Sequence, residues 1–136
     1  MRKTSLNSVY KLAKNNKKVV YIGSDLGTGV LDNMKNGGSG CISATANVNP
    51  AAIYDLFTDW QSANADKMQA QLNEIRNTFA QFPVIPALKQ CVAHYAVDPE
   101  WARLRPPLLA LSNSEKTDLI VKLTALNFKM PGLAAD

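Results

Sequence analysis

GGSGCISATANVNP, residues 37–50, sets a run of small groups between a double glycine and an Asn-Val-Asn-Pro ending. Ile42 and Val48 are its only sizeable apolar side chains. The run over 40–48 reads as a strand in a crowded place, where small residues let neighbouring backbone approach. Asn49 is a good N-cap and Pro50 a good first-turn residue, so a helix is expected to open there and continue over 51–60. A strand leading directly into a helix is half of a βαβ unit. The fold class therefore turns on whether another strand precedes it.

One does. VVYIG, 19–23, is a short β-branched run closed by glycine and reads as a buried strand. Leu6, Val9, Tyr10, Leu12 and Ala13 recur at helical spacing and predict an amphipathic helix over 4–14. SDLGTG reads as a turn, and Val30, Leu31 and Met34 as one or two helical turns stopped at NGG. Beyond residue 60 the pattern is helical. Met68, Leu72, Ile75 and Phe79 lie on one face of a helix over 64–81, which Phe82–Pro83 breaks. A helix follows over 86–95, then a loop over 98–108 with one turn in it. Ser112 with Glu115 three residues on is a capping-box signature that starts a last helix to about Leu126. The order α-β-α-β-α-α-α-α predicts an α/β chain, mostly helical, with about two parallel strands. Two strands do not make a self-sufficient parallel sheet, because both faces and both edges need cover. The first half of the chain thus looks like a slice of something larger, and the later helices like a small bundle.

Bulk properties narrow the function classes. The chain has 136 residues, 46% of them hydrophobic, enough for an ordinary core. No apolar run approaches the ~18–20 residues that span a bilayer, and the basic N-terminus has no apolar h-region, so neither a membrane span nor a secretory signal is expected. Cys41 and Cys91 form no CxxC pair and His94 is the single histidine, so no metal site or disulfide is expected and a cytoplasmic setting fits best. Residues 1–36 carry seven Lys/Arg against two acids, net +5, while 37–136 carry eight against nine, net −1. Without interleaved aromatics this basic stretch reads as a solvated helix face rather than a nucleic-acid surface. GSDLGTG lacks both GxGxxG spacing and the Lys-Ser/Thr of a phosphate loop. Cys91 and His94 share a helix face without an acid or oxyanion loop, which favours a core or interface histidine over a catalytic dyad. Trp60, Trp101, Phe79 and Tyr95 read as packing anchors.

GGSGCISATANVNPAAIYDLF, a long helix, FPVIPALKQCVAHY and RPPLLALS follow one another in an order that resembles the C-terminal portion of the dihydrodipicolinate synthase and N-acetylneuraminate lyase family. These are pyruvate-dependent class I aldolases on a (β/α)₈ TIM barrel. The resemblance covers about 37–128 and implies a barrel fragment: strand eight and helix eight over 37–62, and a C-terminal helical extension over 63–136. Residues 1–36 form a basic βα segment open to two readings. IGSD…LDNMKNGG resembles strand seven and its loop in the same family. RKTSLNSVYKLA followed by GSDLG resembles the start of the pyrimidine-binding domain of transketolase-like, thiamine-diphosphate-dependent proteins. With the charge break, the second reading points to a fusion near 30–37.

The aldolase resemblance implies a Schiff-base lysine on strand six and a proton-shuttling tyrosine on strand five. Both strands precede the matching region. It therefore implies a truncated member, inactive alone, with no catalytic residue, no metal and no cofactor of its own. Three residues are carried over as pyruvate-site residues: Ile42 packing against pyruvate and, on the strand-seven reading, Gly23 giving close backbone approach and Asp25 at the entrance. A barrel-core role for Ile42 and a helix-capping role for Asp25 stand beside these. Pyruvate is an expected partner only if the missing barrel half completes the site. A homo-oligomer is expected, with no nucleic acid and no membrane. The alternative is a non-enzymatic helical oligomerisation module with swapped βα units, and a third reading keeps a thiamine-diphosphate association in the N-terminal third.

Overall fold

The computed structural model describes residues 22–24 and 29–133, with Lys11 and Asn15 as isolated helical positions. The rest of the helix expected over 4–14, the first residues of the VVYIG strand and the turn containing Asp25 lie outside the described residues.

Strand β1 is Ile22–Ser24 and helix α1 is Val30–Lys35. Strand β2 is Gly40–Ile42, followed by a 3₁₀ turn at Ala44–Asn47. Then come α2 (Pro50–Thr58), α3 (Ala65–Phe79), α4 (Val84–Tyr95), a second 3₁₀ turn at Pro99–Ala102, and α5 (Asn113–Ala125). The two strands are parallel, with Ile22 opposite Gly40, Gly23 opposite Cys41 and Ser24 opposite Ile42. The expected α/β order and parallel pair are therefore present. Among the described residues the sheet has two strands and closes no barrel.

β2 is much shorter than the run expected over 40–48. Ser43 and Thr45 are buried and their hydroxyls lie 2.8 Å apart. Short hydroxyl side chains that bond locally compete with a strand ladder and favour a turn, so the chain leaves extended geometry at Ser43. α4 starts two residues before the expected position. Pro86 falls within its first turn, where a missing N–H costs nothing.

The chain divides into two compact units, one comprising residues up to 46 with 50–72, the other 47–49 with 73–136. In the first, Val30, Leu31, Leu56, Ala65 and Leu72 form the core, with Cys41, Ile53, Trp60 and Met68 packed against it. In the second, Val48, Phe79, Phe82, Leu88, Cys91, Leu119, Leu123 and Phe128 are central. The apolar stripe of α3 is thus shared out. Met68 and Leu72 serve the first core, Ile75 and Phe79 the second. Trp101 is not the anchor its bulk suggested: it is about half exposed, with Lys89 Nζ 6.0 Å above its ring. Among the described residues no helix is long and apolar enough to cross a membrane.

Three helices end in the same hydrogen-bond pattern. Gly38 N–H donates to Asn33 O and Gly37 N–H to Met34 O; Asp98 to Ala93 and Val97 to His94; Phe128 to Leu123 and Asn127 to Thr124. This is the Schellman arrangement, which puts the residue after the cap in left-handed geometry. Gly37 at φ 82° and Asn127 at φ 53° suit it, but Val97 at φ 53° is β-branched. Its side chain is 76% exposed, so it recovers little by packing. Val97→Gly removes strain of about 1–2 kcal/mol against roughly 0.4–1 kcal/mol of added unfolded-state entropy. The expected result is a higher melting temperature. A lower one would mean that the valine side chain is stabilising where it stands.

The capping box expected at Ser112 is complete. Glu115 N–H donates to Ser112 Oγ, and Glu115 Oε2 accepts from both the backbone N–H and the hydroxyl of Ser112. Those two hydrogen bonds to the ionised form hold the Glu115 carboxyl below its ordinary value.

Candidate functional site

In parallel α/β architectures ligands bind at the carboxyl ends of the strands, where loops and helix starts converge. Here that end is marked by Ser24 on β1 and Ile42 on β2, paired in register. Gly23 lies one step inward, opposite Cys41. Two of the three residues singled out in the sequence, Gly23 and Ile42, are thus on adjacent strands at or next to this end. Asp25 lies outside the described residues.

Side chains alternate along a strand. Cys41 turns into the helical core of the first unit. Ile42 therefore projects from the opposite face of the sheet, where it is 69% exposed. Ile42 is thus an exposed apolar side chain and not a core residue of the described structure.

The supports of β2 come from side chains that sequence reasoning passed over. Asn33, buried on α1, donates from Nδ2 to Gly40 O at 2.6 Å and fixes the start of the strand. Its Oδ1 is buried against Gly38 with no hydrogen-bond partner among the described residues. Gln69 Oε1, buried on α3, accepts from Leu31 N–H at 2.8 Å and holds the first turn of α1. At the other end of β2, the Ser43–Thr45 hydroxyl pair fixes the exit into the 3₁₀ turn. The sequence carried no signal for Asn33, which lies three residues before the NGG helix stop.

The chemistry available at this end is limited. Between residues 36 and 53 there is no Lys, Arg, His, Asp, Glu or Tyr. Among the described residues no three His, Cys, Asp or Glu side chains gather where they could hold a metal ion. Cys91 is buried with Sγ 3.7 Å from Met130 Sδ, and burial pushes its thiol up to about 12, so it is no nucleophile at neutral pH. His94, three residues on, is exposed with its ring edge-on to Tyr95, and the two form no dyad. Tyr95 donates its hydroxyl to Phe128 O at 2.9 Å, and burial, then the neighbouring Cys91, push its phenol up. These groups are structural.

The sequence profile of the dihydrodipicolinate synthetase family matches residues 3–126. The match begins well before residues 30–37, so the N-terminal segment falls inside it and not in a separate transketolase-like piece. Among solved structures, the dihydrodipicolinate synthase of Agrobacterium tumefaciens str. C58 is similar to this chain with a TM-score of 0.69 at 23% identity, over 87% of this chain and 39% of that one. YagE, a prophage protein of E. coli K12 belonging to the dihydrodipicolinic acid synthase family and solved in complex with pyruvate, is similar with a TM-score of 0.67 at 23% identity, over 82% of this chain and 38% of that one. The chain spans about two fifths of the length of each. No curated protein sequence matches it.

Proposed function

This chain belongs to the dihydrodipicolinate synthetase family, and on that premise we propose that it supplies the last strand, the last barrel helix and the C-terminal helices of a pyruvate-dependent aldolase barrel. In this reading residues 37–62 are strand eight and helix eight, and 63–136 are the helical extension. The chain contributes a wall of the pyruvate site and not its reactive amine.

The observation that carries this reading is the opposite facing of Cys41 and Ile42. In a βα barrel the helices cover the outer face of the sheet, and the inner face at the carboxyl end is the active-site floor. Cys41 packs among the helices, so Ile42 takes the inner side. There its side chain would border the methyl end of pyruvate and exclude water from the carbonyl. Gly23, beside Cys41 on the neighbouring strand, would let backbone approach the substrate, and Asp25 would stand at the entrance. Class I aldol chemistry needs a lysine whose amine is kept neutral by desolvation, so that it can attack the pyruvate carbonyl. It also needs a phenol to move the proton. The resemblance puts both on strands five and six, which precede the matched motifs. Lys89, stacked over Trp101 on α4, has no place in that scheme.

The test is reductive trapping. The 136-residue chain is incubated with pyruvate and borohydride and its mass is read intact. The expected result is no covalent adduct. An adduct at any lysine of this chain would overturn the assignment of the amine to another part of the barrel.

A further inference from the structure

Helix α1 ends at Lys35, and Asn36 and Gly37 follow it. This is the one place in the chain where Asn is followed by Gly. Both residues are exposed. An Asn side chain carries an electrophilic amide carbon at Cγ, and the next backbone nitrogen can reach it. Reach is greatest before glycine, because no Cβ crowds the approach and the backbone turns freely.

The folded end of α1 opposes that approach at three points. Gly37 N–H donates to Met34 O at 3.0 Å, so the attacking nitrogen is engaged. Asn36 Nδ2 donates to Asp32 O at 2.7 Å, so the side-chain amide is held back along the helix. Ring closure nearly eclipses Cβ and the Gly37 nitrogen, whereas Asn36 stands at ψ 11°, which keeps the two well apart. These restraints belong to a helix of six residues whose cap is in solvent, and such ends open locally at small cost. We propose that Asn36 is a site of spontaneous deamidation, with the hydrogen-bonded end of α1 as the gate that sets its rate. In the open form the Gly37 nitrogen gives its proton to solvent and bonds to Cγ. The Cγ–Nδ2 bond breaks and ammonia leaves. One water then opens the succinimide at either carbonyl, leaving aspartate or isoaspartate. Water is the only co-reactant, and nothing is oxidised or reduced.

Either product puts a carboxylate at the C-terminal end of α1, where the helix dipole disfavours negative charge. Either also removes the side-chain donor to Asp32 O. Isoaspartate lengthens the backbone ahead of Gly37, which displaces the Gly37 and Gly38 N–H groups from Met34 and Asn33. The gate therefore stays open after the reaction, and the Gly38–Asn33 packing beside Gly40 is loosened. None of this depends on the pyruvate reading.

The whole chain is held at mildly alkaline pH, both native and in urea, and then digested. Amide loss is read by peptide mass, and chromatography separates isoaspartyl from aspartyl peptides. The expected result is loss concentrated at Asn36, faster in urea than in the native chain. Hydrogen exchange at the Gly37 amide reports the same opening, so its protection should match the urea-to-native rate ratio. Asn33→Ala empties the packing over Gly38 and should speed the native reaction about tenfold, leaving the rate in urea unchanged. Loss at Asn36 no faster than at Asn113 in urea overturns the site. A native rate equal to the rate in urea overturns the gate, and so does a rate ratio that departs from the Gly37 protection. A native rate unmoved by Asn33→Ala overturns the gate too.

Discussion

Phe79→Ala is expected to lower the stability of the second unit by about 3–5 kcal/mol, the usual cost of emptying a buried aromatic site. Phe79 is fully buried at the C-terminal end of α3. It meets Phe128 edge to face, with ring centroids 6.4 Å apart and planes at 79°. Phe128 in turn meets Tyr95, whose hydroxyl holds the Phe128 carbonyl. Removing the Phe79 ring therefore opens a cavity and also frees the segment that closes the core after α5. A domain of this size has about 5–15 kcal/mol in total, so about a fifth or more of it is at stake. The melting temperature should fall by about 12–40 °C, taking about 4–8 °C per kcal/mol. Leu109→Ala is the control, because Leu109 is 82% exposed and should move the melt by almost nothing. Equal shifts for the two variants would contradict the core as described.

The same residue shows what the sequence made readable. The 68–72–75–79 spacing located α3, and its burial is borne out at Leu72 and Phe79. What the period could not show is that the stripe serves two cores, because that depends on which elements return to each end of the helix. Helix ends were legible where their chemistry was local. NGG stops α1, and Ser112 with Glu115 starts α5. The end of α4 was not signalled by its capping residue, since valine is a poor left-handed residue and Val97 stands there within the Schellman hydrogen bonds to His94 and Ala93. Strand length was overestimated for a similar reason. Ser43 and Thr45 look compatible with a strand until their hydroxyls are seen to bond each other. Of the candidate site, the residue types alone pointed nowhere, and Ile42 was singled out only through a family resemblance. Its facing follows from a single neighbour, Cys41, and needs the structure. Asn33 and Gln69 were invisible in sequence, because a buried amide that fixes a backbone group looks like any polar residue on a helix.

Gly38→Ala is expected to cost about 1–3 kcal/mol, more than alanine at either neighbouring glycine. The reason is not backbone freedom. A Cβ at Gly38 would overlap the Oδ1, Cγ and Nδ2 atoms of Asn33. That amide cannot swing aside freely, because Asn33 is 5% exposed and its Nδ2 holds Gly40 O at 2.6 Å. Either the overlap is accepted, at roughly 1–3 kcal/mol, or the amide moves and a part-buried carbonyl loses its donor, at about 1–3 kcal/mol. Gly37 and Gly40 have open space where a Cβ would go. Gly37→Ala should cost only about 1 kcal/mol, through its positive φ of 82°, and Gly40→Ala less. The order Gly38, then Gly37, then Gly40 is read from three thermal melts. Gly38→Ala as stable as Gly40→Ala would refute the close packing. A double-mutant cycle with Asn33→Ala sharpens the point. If the two residues act through one contact, the double variant should lose less than the two single losses added. The cycle bears on the site because Asn33 fixes Gly40, and Gly40 begins the three-residue strand that ends at Ile42. A strand this short has little ladder of its own to set its position. The amide packed over a glycine thus helps to set where Ile42 stands, and the stability order of these glycines is also a measure of how firmly that residue is placed.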